Sequence, residues 1–210
     1  MKTRTFRLQK GALVPARIAE TVEILRSGGV AVFPTDTVYG LGASVFRPTA
    51  IKKIYALKGR SYKKPLPFLV AGLEQALALV EPPDARLRKV LKKYWPGPLT
   101  VVFNTSPLGR WTTGGKDTLA LRVPDHPVAL GLLRAMNAPL AVTSANRSGR
   151  PEATTGARAA ALFAGKVDVL VDGGPCPGGV PSTVLDVSSV VWTLRREGAV
   201  PKSDLLRYMA

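Results

Sequence analysis

No disulfide can form within this chain, because Cys176 is its one cysteine, and with the single His126 it cannot supply a structural zinc site. Acids are scarce as well: 14 Asp and Glu stand against 30 Lys and Arg, a formal net charge of +16. Between Asp36 and Glu74 there is no acid at all. Apolar runs are short. None approaches the roughly 18 residues of a membrane span, and the opening stretch "MKTRTFRLQKGALVP" lacks the apolar centre of a secretory signal. The expectation is a cytoplasmic protein. No GxxxxGK[ST] motif occurs, which excludes a P-loop, and there is neither an internal repeat nor a low-complexity tract.

What is present suffices for a core. At 210 residues, 46% hydrophobic and 21% charged, the chain has the makeup of one globular domain, 1–210, rather than of a disordered one. Helical and strand-like segments alternate along it. "PARIAETVEILRSGG" opens on Pro15, spaces Ile18, Val22 and Leu25 as a helix would, and stops at Gly28-Gly29. "PTAIKKIYALKG" repeats the device from Pro48 to Gly59. Further helices are predicted at "LEQALALV", over the Leu87, Val90, Leu91, Tyr94 stripe, at "HPVALGLLRAM" and around 157–164. Strands are predicted at "VAVF", "LPFLV", "LTVVF", "LALRV" and "PLAVTS", and near 167–171, 183–187 and 190–194. Such alternation predicts an α/β fold, a twisted mixed open sheet flanked by helices, with ligands at the strand exits.

The acid-free stretch holds Lys58, Arg60, Lys63 and Lys64 within seven residues. Cations at a helix end suit its dipole, worth up to about 1 kcal/mol, and this accounts for one of them but not four. A phosphate chain accounts for them better, since Arg forks onto phosphate oxygens and Lys adds a mobile charge. The net charge admits a polyanionic partner, nucleotide or RNA, as well as simple solubility.

Two strand exits are polar. "TSANRSG" offers Thr143, Ser144, Asn146 and Ser148, either as a cap or turn or as ligand contacts. "PTDTVYGLG" places Thr35, Asp36, Thr37 and Tyr39 after a buried strand, Tyr39 being equally a packing aromatic or a ligand contact. Arg122, among strand apolars, requires a partner: Asp117 or Asp125 from within, or a ligand carboxylate. Gly173-Gly174 and Gly178-Gly179, interleaved with Pro175, Pro177 and Pro181, make a stiff loop.

These segments resemble the YrdC-like family of L-threonylcarbamoyladenylate synthases, whose KxR and SxN signatures read here Lys58-Gly59-Arg60 and Ser144-Ala145-Asn146. "FPTDTVYGLGA", "WPGPLTVVF", "LALRVPDHP", "PSTVLDV" and "LRREGAV" match in order, over about 16–200. The resemblance implies the YrdC-like fold around a basic concave cavity. It also implies a nucleotidyltransferase that makes threonylcarbamoyl-AMP and pyrophosphate from L-threonine, bicarbonate and ATP, with Mg2+ arriving on the triphosphate and no metal site of its own. By this resemblance Thr37, Arg122 and Ser182 hold threonine. Lys58, Arg60, Thr118, Ser144, Asn146 and Arg196 contact the nucleotide, Lys58 and Arg60 being the catalytic cations. The product serves N6-threonylcarbamoyladenosine formation in tRNA, so tRNA or double-stranded RNA and threonylcarbamoyl-transfer proteins are the expected partners. Ser61 stands where the family often has Pro, and the chain reads as the short, single-domain form. The alternatives are an RNA-binding module, or a related branch of the same fold without synthase activity.

Overall fold

Proline opens and glycine or asparagine closes three of the longer helices, which sets where the chain turns back onto its strands. The computed structural model describes residues 2–9 and 12–209. In chain order the elements are β1 (Arg4–Arg7), α1 (Pro15–Arg26), β2 (Ala31–Phe33), β3 (Gly40–Ser44), α2 (Pro48–Lys58), β4 (Phe68–Leu69) and α3 (Leu73–Leu77). Then come α4 (Ala85–Tyr94), β5 (Leu99–Asn104), α5 (Pro107–Thr112), β6 (Thr118–Arg122), α6 (Pro127–Met136) and β7 (Leu140–Ser144). The chain finishes with α7 (Gly156–Phe163), β8 (Val169–Asp172), β9 (Thr183–Asp186), β10 (Thr193–Arg196) and α8 (Lys202–Met209). Gly59 in α2's cap and Asn137 in α6's are left-handed, the conformation that ends a helix sharply. His126 caps α6, its Nδ1 accepting from the Val128 amide.

The strands form one sheet in the order β1-β8-β2-β3-β7-β4-β6-β5-β9-β10, with β1–β8, β8–β2, β4–β6 and β5–β9 parallel and the other pairs antiparallel. Strand alternation sorts side chains between its two faces. Val101 and Phe103 of β5, Leu119 and Leu121 of β6 and Leu185 of β9 join Ile54, Leu87, Leu91, Phe163 and Leu205 in one core under α2, α4, α7 and α8. On the opposite face α1 and α6 cover the β1-to-β7 side, burying Leu25, Phe33, Leu132, Leu133 and Val142. The intervening residues Thr100, Val102, Ala120, Arg122 and Val184 are left facing a cavity.

The mixed α/β sheet is as expected, with local differences. Of "LPFLV" only Phe68 and Leu69 form a regular strand: Pro67 has no amide to donate, its carbonyl accepting from the Val142 amide at 2.9 Å, and the Val70 amide donates to Arg122 O at 3.0 Å just past the strand end. The strand expected at 190–194 lies at Thr193–Arg196, because Val190 and Val191 form an exposed turn, 94% and 70% accessible. No helix among the described residues is long and apolar enough to cross a membrane.

Candidate active site

The uncovered sheet face floors a cavity of about 310 Å³. Thr35, Thr37, Arg60, Arg122, Ser144, Ser182 and Arg196 line it, with Leu69, Val102, Ala120, Val142 and Val184 as apolar floor. Side chains separated by more than a hundred residues meet there, through three hydrogen-bonded groups.

The first group is built on the turn after β2. Thr35 Oγ1 donates to the Val38 carbonyl at 2.6 Å and accepts from the Thr37 amide at 3.2 Å, closing the turn. Gly178 presses on its far side, donating its amide to Asp36 O at 2.9 Å; a Cβ on Gly178 would lie 2.6 Å from that oxygen. Tyr39 is a packing residue. Its hydroxyl donates to Gly174 O at 2.7 Å and accepts from the Gly173 amide at 3.0 Å, and burial pushes its pKa upward. The turn delivers Asp36 and Thr37 to Arg122, which donates from Nη2 to Asp36 Oδ1 at 2.5 Å, from Nη1 to Thr37 Oγ1 at 2.9 Å and from Nε to Gly97 O at 2.9 Å.

The internal acid is therefore Asp36, and neither Asp117 nor Asp125 answers Arg122. Five residues along an extended strand put Asp117 about 17 Å away on the other face. It pairs with Arg110 instead, at 2.5 Å, and Asp125 is exposed. Burial lowers the Arg122 pKa while Asp36 raises it, and the guanidinium stays charged.

In the second group, Ser182 Oγ and Thr100 Oγ1 share a hydrogen bond of 2.8 Å, and Arg196 Nη2 donates to Ser182 O at 2.8 Å and Ser182 Oγ at 3.3 Å. Arg196 is lowered in pKa by burial first; Glu152 opposes this, and the charges of Arg122 and Arg60 add to it. Three guanidiniums thus stand close enough on one cavity to repel one another, a condition that an anion relieves.

The third group joins the two signature motifs. Lys58 Nζ donates to Ser144 O at 2.6 Å, Asn146 Oδ1 at 2.7 Å and Asn146 O at 2.9 Å. Arg60 instead reaches the cavity, with Nε on Lys64 O at 2.9 Å and Nη2 on Pro65 O at 3.1 Å.

Of the sequence candidates, Thr37, Arg60, Arg122, Ser144, Ser182 and Arg196 line the cavity; Lys58 and Asn146 stand behind its wall. Thr118 is exposed on the same sheet face as Ala120 and Arg122, beyond the wall. The four-cation cluster does not converge. The left-handed turn at Gly59, φ 61°, sends Lys58 inward and Arg60 to the cavity, while Lys63 and Lys64 are exposed outside it. Sequence reasoning overlooked Thr100 and the apolar floor, which the alternation in "LTVVF" and "LALRV" encodes as the residues opposite the core-facing ones. Among the described residues, no three His, Cys, Asp or Glu side chains group as a metal site.

The Sua5/YciO/YrdC family profile, described as "Telomere recombination", matches residues 23–198. A Bacillus subtilis protein named threonylcarbamoyl-AMP synthase is 40% identical over 191 residues, 90% of this chain and 55% of its own length. The chain thus spans about half the length of curated relatives such as this one. The crystal structure of Pyrococcus abyssi Sua5 complexed with L-threonine superposes with a TM-score of 0.89 at 35% identity, covering 100% of this chain and 61% of that one. Escherichia coli YciO superposes with a TM-score of 0.83 at 25% identity, covering 93% and 96%.

Proposed function

The chain belongs to the Sua5/YciO/YrdC family, and from that premise we propose that it is an L-threonylcarbamoyladenylate synthase, forming threonylcarbamoyl-AMP and pyrophosphate from L-threonine, bicarbonate and ATP. It acts as one domain, which the continuous sheet from β1 to β10 supports. The observation that carries the proposal is the convergence of Arg60, Arg122 and Arg196 with Thr37, Ser144 and Ser182 on one cavity. The threonine complex of Pyrococcus abyssi Sua5 supports the amino-acid half of it.

Arg122 has five N–H donors, and three are engaged by Gly97, Thr37 and Asp36. The remaining two take the threonine carboxylate, and Thr37 and Ser182 hold the rest of the amino acid. Threonine's amine and bicarbonate condense to a carbamate with loss of water. A carbamate oxygen then bonds to the α-phosphorus as the bond to the bridging oxygen breaks, and pyrophosphate leaves with that electron pair. Anion meets anion at this step. Arg60 and Arg196 lower the repulsion, and fixed orientation supplies much of the remaining acceleration. Neither a covalent nucleophile nor a general base is demanded.

Ser144 and Thr118 are assigned to the nucleotide, with Lys58 and Asn146 behind them. The cavity wall is one of guanidiniums and hydroxyls, and Asp36 beside it is committed to Arg122. This donor set fits magnesium delivered by the triphosphate, where it neutralises phosphate charge. Service in N6-threonylcarbamoyladenosine synthesis makes tRNA, or double-stranded RNA, and threonylcarbamoyl-transfer proteins the partners, and the cytoplasm the place of action.

Pyrophosphate release from ATP, measured with threonine and bicarbonate supplied together or singly, tests the proposal. Release is expected only with both. Equal release with serine, or without bicarbonate, refutes it. RNA binding as the main function is favoured by the net charge of +16, and would show as steeply salt-dependent binding without turnover. Structural likeness to YciO over 96% of that chain favours the related-branch alternative if neither activity is found.

A further inference from the structure

Only one of the two cations in the Lys58-Gly59-Arg60 motif is free to meet a phosphate. Lys58 is 3% exposed and does not line the cavity. An ammonium carries three N–H donors, and here three oxygens of the 144–146 turn take them: Ser144 O, Asn146 O and Asn146 Oδ1. No donor is left over. A fourth tie fixes the same segment, the Ser148 amide donating to Lys58 O at 2.9 Å.

The orientation of the Asn146 amide follows from its neighbours. Its Oδ1 accepts from Lys58 at 2.7 Å and from Ser144 Oγ at 2.7 Å, while its Nδ2 donates to Arg150 O at 2.5 Å. Exchanging the two ends would set an NH2 against an ammonium and a carbonyl against a carbonyl. The ammonium thereby locks Asn146, and Asn146 locks the Ser144 hydroxyl at the cavity wall.

We propose that Lys58 is a positioning residue for the nucleotide site, acting through Asn146 on Ser144 and touching no phosphate itself, while Arg60 is the phosphate-contacting cation of the pair. This rests on the synthase proposal for the identity of the nucleotide. It departs from the role the family resemblance implies for Lys58.

A double-mutant cycle on ATP affinity, read by calorimetry, separates positioning from contact. Lys58→Met and Asn146→Ala are each expected to raise the ATP Kd about tenfold, and the double variant to raise it about tenfold again in total, not a hundredfold. Multiplication of the two losses overturns the proposal. A second measurement uses the unaltered protein: the Lys58 ammonium, sheltered and triply bonded, should give a slowly exchanging side-chain NMR signal without ligand, and ATP should leave its position unchanged. Absence of that signal in the free protein, or a large shift on adding ATP, overturns the proposal even if the variants fail to fold. If ATP does not bind, the synthase proposal falls instead, and the free-protein signal still decides whether Lys58 holds the turn.

Discussion

On the synthase proposal, replacing Arg122 by Met should separate the half of the cavity assigned to threonine from the half assigned to the nucleotide. Methionine keeps most of the stem's apolar volume while removing the guanidinium. The Arg122 and Asp36 side chains are 7% and 12% exposed and lie 2.5 Å apart. Breaking a buried pair by deleting one partner costs about 3–5 kcal/mol, because the survivor's charge is left uncompensated. Asp36 keeps 12% of its side chain exposed and can recruit water, so the low end, about 3 kcal/mol, applies. For a chain of this size that lowers the melting temperature by roughly 6–12 °C. Adding Asp36→Asn to Arg122→Met removes the stranded charge and should restore at least about 1 kcal/mol. Loss of the charge-assisted contact proposed for the threonine carboxylate, about 1.5–3 kcal/mol, should weaken threonine binding roughly 10- to 150-fold, with ATP affinity within about threefold of the parent. Scanning calorimetry and isothermal titration with each substrate give all four quantities. An unchanged melting temperature would refute the buried-pair account. A loss confined to ATP would show that the halves have been assigned the wrong way round.

Arg60→Ala should raise the ATP Kd roughly 10- to 150-fold, one charge-assisted contact, and should also release the 61–65 loop that Arg60 ties through Lys64 O and Pro65 O; titration and limited proteolysis read the two effects, and unaltered ATP affinity contradicts the contact. The Lys58 pKa is pulled down to about 8, by burial first and the Arg60 charge second. Above that pH the ammonium loses one of its three donors, so kcat/KM should decline in a limb that Lys58→Met lacks. Stability should move the other way: between about pH 8 and the ordinary lysine value near 10.4 the unfolded chain binds more protons than the folded one, so this group favours folding increasingly as pH rises. A pH–rate profile beside melts at the same pH values checks both signs.

Much of this was readable from local chemistry. Pro15 with Gly28 and Pro48 with Gly59 bracket α1 and α2, and the alternation of β5 and β6 encodes both faces of the sheet. β3 was hidden, because "GLGAS" shows neither alternation nor β-branched residues, although all five of its positions are buried. Its glycines admit neighbours: a Cβ on Gly40 would lie 2.9 Å from Val142 Cγ1, and one on Gly42 3.0 Å from Phe33 Cε1. β1 is a short edge strand with three polar residues around Phe6, and nothing local marks it. α5 and α8 were overlooked as well. At the site, the motifs name six residues that line the cavity, but Lys58, Asn146 and Thr118 lie outside its lining and the Arg122 partner lies 86 positions away, a pairing that only the folded sheet reveals.

The strand order has a consequence for how the protein comes to life. Arg122, Ser144 and Ser182 complete the cavity only once Thr37 from an early turn and Arg196 from β10, at the sheet's edge, have arrived beside them. A nascent chain halted before β10 would therefore own most of the sheet but lack Arg196 at the cavity, so affinity for the proposed substrates should mature only once the last strand has been added.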